Sequence, residues 1–111
     1  MSLIDRDLIM RQLRFVQQLL ARAKKAQAQS DFAGALHELR SGYREAVGTP
    51  YELLSQLDAG SARLMLRTAE RQDAYRELLL AEAELLRAQG EEGAASSIER
   101  RLAQLAAAAP R

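Results

Sequence analysis

His37 is the only histidine of the chain, and cysteine is absent. Any Ser-His-Asp triad, or any zinc site of imidazole and carboxylates, would therefore have to be built on that one ring. Its sequence neighbour is Glu38 and Ser41 follows four positions on. All three fall on the polar side of a helical pattern, the setting of a solvated surface histidine rather than a general base. Glu77, Glu82 and Glu84, and the adjacent Glu91 and Glu92, are the groups that could serve as paired carboxylates or metal ligands. Interleaved with Arg76, Arg87 and Arg100, they read instead as surface acids in i,i+3 and i,i+4 ion pairs. No second-helix motif of carboxylate plus histidine accompanies them, so no metal is expected. The six glycines are dispersed and form no phosphate-cradling loop, so no nucleotide or other cofactor is expected either. The last chemistry-bearing set is Arg11, Arg14, Gln18, Arg22 and Lys25, spaced by threes and fours on one helix face, where cations could track a polyanion. A solvated face whose cations pair with glutamates elsewhere is the simpler reading of that stripe.

Helices must position all of these groups. Hydrophobic residues make up 48% of the chain and aromatics only 5%, with Ala, Leu, Arg, Glu and Gln dominating, a composition of strong helix formers. Apolar residues recur at Leu8/Ile9, Leu13, Phe15/Val16, Leu19/Leu20, Ala23 and Ala26, predicting a first helix over 3–27. Ser30 and Asp31 are cap candidates for a second, whose stripe is Phe32, Ala35, Leu36, Leu39, Tyr43, Ala46 and Val47, and which Gly48 ends. Gly34 and Gly42 inside it suggest close approach of a neighbouring helix. Thr49-Pro50-Tyr51-Glu52 reads as a capping box with proline at the first helical position. It opens a short helix with Leu53, Leu54 and Leu57, and Asp58 caps another with Leu64, Met65 and Leu66, which frays toward Gln72. Asp73 is the expected cap of the fifth helix, Gly90 its end, and the sixth buries Ala95, Ile98, Leu102 and Leu105. The architecture expected is one all-α domain over 1–111, with hairpins at 3–47 and 73–107 and short helices over 50–70.

The hairpins are related. Leu19–Arg40 returns sixty residues later as Leu79–Arg100, with identities that include Leu19/Leu79, Leu20/Leu80, Ala21/Ala81, Ala23/Ala83, Ala35/Ala95 and Arg40/Arg100. Ala23, Ser30 and Ala35, and again Ala83, Gly90 and Ala95, carry a small residue seven positions before a turn and an alanine five after it. In that frame the chain resembles tetratricopeptide (TPR) repeats, and Arg6-Asp7-Leu8-Ile9-Met10-Arg11 ahead of a hairpin is similar to the start of small bacterial TPR-like proteins. Arg22 and Glu82 stand where the family has a large leucine, Glu92 takes the tyrosine place of the second turn, and the sixty-residue spacing exceeds the family period of about 34. The resemblance implies antiparallel hairpins that stack to share a core, and a peptide-binding groove lined by the first helix of each. By position that groove falls to Gln17, Leu20, Lys24 and Gln27, and to Glu77, Leu80, Glu84 and Arg87.

A first helix of this length runs about 37 Å, longer than the second can cover. Leu3, Ile4, Leu8 and Ile9 are left over, so either the short central helices cover them or a second copy of the chain does. With 16 basic and 15 acidic residues, no global field draws the protein to nucleic acid or an anionic membrane. Asp5, Arg6, Asp7 and Arg11 interrupt any apolar leader, and the expected location is cytoplasmic. The function expected is a non-catalytic protein-protein interaction module, with self-association as a homodimer through the leftover apolar stripe. The second reading is a nucleic-acid-binding accessory protein using the basic face of the first helix.

Overall fold

A computed structural model of the chain describes residues 3–109, with side chains described from Arg6 onward. All regular structure among these residues is helical: α1 (Leu3–Ala28), α2 (Phe32–Ser41), α3 (Tyr43–Val47), α4 (Tyr51–Gln56), α5 (Ala59–Leu66), α6 (Ala69–Ala88) and α7 (Glu92–Ala107). None of them is long and apolar enough to cross a membrane.

Two short turns fold the chain into hairpins, α1 on α2 and α6 on α7. In the first, Ser30 takes left-handed dihedrals (φ 60°), and the Asp31 N–H reaches back to the Ala26 carbonyl at 2.9 Å. In the second, Gly90 takes the same hand (φ 88°), and the Glu91 N–H reaches the Leu86 carbonyl at 2.8 Å. Asp31 (φ −94°, ψ 71°) and Glu91 (φ −89°, ψ 66°) then enter the next helix in nearly one conformation. The internal repeat thus extends to the backbone hydrogen bonds that satisfy the helix ends. Ala23 (3% exposed), Ala35 (0%), Ala83 (4%) and Ala95 (0%) are all buried, as the close approach of paired helices requires.

The two internal glycines answer to different causes. A β-carbon on Gly42 would come within 2.5 Å of Leu19 Cδ2, so here α1 does press against the backbone, and the expected second helix breaks into α2 and α3. At the break the Gly42 N–H is shared between the Glu38 and Leu39 carbonyls, at 3.2 and 3.3 Å. Gly34 instead faces the Asp31 carboxylate, which caps α2 by accepting from the Gly34 N–H at 3.0 Å, and no neighbouring helix is involved.

Between the hairpins the sequence expectations need three corrections. Thr49 is buried but makes no side-chain cap; α4 starts directly after Pro50, whose extended dihedrals (φ −68°, ψ 151°) deliver the chain into the helix. Asp58 does cap α5, accepting from the Ser61 N–H at 2.8 Å, and this bond holds its carboxyl below the usual carboxylate range. α5 does not fray toward Gln72. The chain reverses at a single residue, Arg67 (φ 70°, ψ −56°), where the Thr68 N–H donates to the Leu66 carbonyl at 2.9 Å, a strained γ-turn. Thr68 then caps α6 by accepting from the Arg71 N–H, so the second hairpin begins at Ala69 and Asp73 lies inside it.

α6 is the central element. It packs on α1, α2 and α3 on one side and on α7 and α5 on the other, which explains a buried face that includes Leu78, Leu79, Leu85 and Leu86. Of the short central helices, α5 packs on α7 and α6, while α1 is flanked by α2, α6 and α3. Of the expected self-association stripe, Leu3 and Ile4 lie outside the described side chains. Ile9 turns inward (9% exposed), while Leu8 faces out (44%). Of the two members described, only Leu8 is thus exposed, because Leu8 and Ile9, adjacent in sequence, fall about 100° apart around the helix.

Candidate functional site

The first helices of the two hairpins, α1 and α6, lie side by side. Between them runs an open cleft of about 300 Å³ lined by Gln17, Leu20, Lys24 and Gln27 of α1 and by Ala81 and Glu84 of α6, with Ala21, Ala23 and Leu85 completing it. Five of the eight expected groove residues are thus brought together. The other three are not. Glu77 and Leu80 are exposed on α6 outside the lining, and Leu80 leaves 51% of its surface in solvent. Arg87 is drawn to α7, where its Nε donates to Glu92 at 3.1 Å and its Nη2 to Glu99, and these two carboxylates raise its pKa. Among the described residues no ion pair engages Lys24 or Glu84, so a cation and an anion face the cleft from opposite walls, both available to a ligand.

On α6, next in sequence to the cleft residue Ala81, Glu82 centres a polar cluster that the sequence reading missed. Glu82, expected at the surface, is 1% exposed. Its Oε2 accepts from Arg40 Nε (3.2 Å), Arg40 Nη2 (2.8 Å) and the Tyr51 hydroxyl (2.8 Å), whereas its Oε1 is buried without a protein partner. One carboxylate therefore ties α2 of the first hairpin, α4 of the insert and α6 of the second. The Arg40 guanidinium also sits 5.1 Å from the Tyr51 ring centre, a cation-π distance. Tyr43 packs edge-on against Tyr51 and Tyr75, and Arg101 reaches in from α7 to the Tyr75 hydroxyl (3.3 Å) and the Leu54 carbonyl (2.6 Å). The sequence signal existed: Leu78, Leu79, Leu85 and Leu86 stand four and three positions before and after Glu82, which centres it in the apolar stripe.

Tyr75 lines a cleft of about 360 Å³ with Arg63, Gln72, Asp73 and Arg76, whereas Glu82, Arg40, Tyr43 and Tyr51 line none of the clefts described. Burial pushes the Tyr43 phenol well above the ordinary tyrosine range and the Glu82 charge adds to this; Tyr51 is raised by the same causes. The sign of the linkage follows. Unfolded tyrosines ionise near pH 10, about the model-peptide value, so above that pH the unfolded chain sheds protons that the native one holds. Stability contributed by these phenols is complete below pH about 10 and falls as pH rises toward the folded values. Denaturant unfolding at pH 9 and 11 should show this loss, with Tyr43→Phe reducing it. Because the buried Tyr43 hydroxyl has no hydrogen-bond partner, Tyr43→Phe should also match or exceed the wild type at pH 7, by up to about 1 kcal/mol.

His37 is exposed, with Ser41 Oγ at 3.5 Å from its Nε2. No group of three His, Cys, Asp or Glu side chains among the described residues converges as a metal site would require. Arg11, Arg14, Gln18, Arg22 and Lys25 are all exposed on α1, and Arg44 of α3 joins Arg11, Arg14 and Gln18 around a second cleft of about 530 Å³. The expected pairing of this stripe with glutamates is absent: none of its cations has a carboxylate within 4.0 Å among the described residues. No family model matches the chain, and no curated protein or solved structure was found similar to it.

Proposed function

We propose that the protein is a non-catalytic interaction module that holds a peptide segment of a partner protein in the cleft between α1 and α6. The observation that carries this reading is the convergence of Gln17, Leu20, Lys24 and Gln27 with Ala81 and Glu84 on one open, ligand-sized cleft. The TPR resemblance supports it, since the two first helices of repeated hairpins supply the walls. The small Ala21 and Ala81, equivalent residues of the repeat, leave room for an apolar side chain beside Leu20. Lys24 and Glu84 would orient the segment by its own charges.

A photo-crosslinking residue introduced at Gln17, with one at exposed Ser96 of α7 as control, tests the site. Cross-links to one identified partner should form from Gln17 and not from Ser96. Ala21→Arg, a change at an exposed position that leaves the helix intact, should weaken binding of that partner by about tenfold or more. Equal labelling from Ser96, or unchanged affinity in Ala21→Arg, would remove the cleft as the binding site.

A further inference from the structure

The balanced net charge conceals a segregation of sign. From Leu8 to Ser30 the chain contains no carboxylate but carries Arg11, Arg14, Arg22, Lys24 and Lys25. Within α1 only Arg11 has an acid at i±3 or i±4, Asp7, and the two make no ion pair; Arg14, Arg22, Lys24 and Lys25 have none. The second cleft gathers this charge: Arg11 and Arg14 from α1 and Arg44 from α3 surround an apolar floor of Leu8, 44% exposed, and half-buried Phe15. α6 carries the converse. Asp73, Glu77, Leu80 and Glu84, spaced by four, three and four, form an exposed acidic ridge with a leucine at its centre. Among the described residues none of these three acids is in an ion pair.

We infer that the basic cleft of α1 and α3 docks the acidic ridge of α6 from a second copy of the chain, in a head-to-tail contact. The ridge spans about 16 Å from Asp73 to Glu84, and the α1 wall of the basic cleft about 15 Å from Leu8 to Gln18, so the two are matched in length. Leu80 enters between Leu8 and Phe15, and Glu77 and Glu84, a turn to either side, meet guanidiniums whose planar forks suit carboxylates. This contact is heterologous, one face meeting a different face, unlike the symmetric dimer expected from sequence, in which the α1 stripe would meet its own copy. A nucleic acid fits the cleft less well, because Glu45 lines the wall a phosphate chain would follow and the ring in its lining, Phe15, is half-buried.

Light scattering of the full chain as a function of concentration at low salt, where surface charges are least screened, tests this directly. The mass should rise above 12.3 kDa and return to it at high salt. Arg11→Glu/Arg14→Glu should weaken the association by about tenfold or more, and so should Asp73→Lys/Glu77→Arg. The chain carrying all four reversals should recover it, because each reversed face again meets its opposite. Asp73 and Glu77 lie outside the α1–α6 cleft, so failure here leaves the peptide-binding reading standing. A monomer at every salt concentration overturns the contact, as does association that survives either pair of reversals. A low-salt gel shift of an oligonucleotide that is lost in Arg11→Glu/Arg14→Glu, with the protein alone monomeric, assigns the face to phosphates and overturns it equally.

Discussion

Arg40→Ala should lower the free energy of unfolding by about 3 kcal/mol, whereas Glu82→Leu should leave it unchanged or raise it. The asymmetry comes from where the two charges sit. Glu82 is 1% exposed and Arg40 39%, so removing the arginine strands an anion in the core, while removing the anion frees a cation that water already reaches. The lower part of the usual range applies to Arg40→Ala because solvent screens that half-exposed partner. Leucine at position 82 would also dispense with Oε1, a buried oxygen that has no partner. Tyr51, only partly buried, can turn its hydroxyl to water when its acceptor goes. In a domain of this size the arginine variant should melt about 12 °C lower. Arg40→Ala in the Glu82→Leu background should cost under about 1 kcal/mol, since the penalty lies in the stranded charge. If Glu82→Leu alone were destabilising by more than about 2 kcal/mol, the cluster would be a net source of stability and the argument would fail.

Gly42→Ala and Gly34→Ala make the second comparison, one in which helix propensity favours both changes by about 1 kcal/mol each. At Gly42 the new methyl group meets Leu19, itself 1% exposed and enclosed, and overpacking of this kind costs about 1–3 kcal/mol. A net loss near 2 kcal/mol is expected, with the propensity gain small because the site is a helix break. Leu19→Val should relieve part of it in the double variant. At Gly34 the obstacle is the exposed Asp31 carboxylate, which can swing out to water. Only the cap is lost, and a lost cap of about 1 kcal/mol cancels the gain in propensity. Urea unfolding followed by circular dichroism separates the two; equal effects would mean that Leu19 does not hold the Gly42 backbone in place.

Much of the fold was legible from residues whose roles are local. The long apolar period of α1, the turns at Ser30 and Gly90, the Gly48 end and the Asp58 cap all depend on a few neighbours in sequence, and all were readable. The start of α6 was not. Asp73 and Thr68 are both competent caps, and the choice fell to Thr68 because the chain turns on one strained residue, Arg67, which no propensity favours. Glu82 was misread for a different reason: its counterpart in the repeat is Arg22, an exposed residue. α1 is an edge helix with a free side, whereas α6 is enclosed from both, so equivalent positions of the repeat meet opposite environments. Of the cleft, the four residues that the resemblance assigned to the α1 wall all line it, with Ala21 and Ala23 beside them, while on the α6 wall only Glu84 does, since Arg87 is claimed by α7.

The matched turns are not matched in ease. Ser30 holds a backbone geometry that an L-residue occupies at a cost of about 1–2 kcal/mol, and Gly90 holds it freely. The tip of the first hairpin therefore opens before that of the second, and amide protons of Gln29 to Asp31 should exchange with solvent sooner than those of Gln89 to Glu91. Under limited proteolysis the same tip should be nicked first, so the likeness of the two halves ends in a graded order of local unfolding.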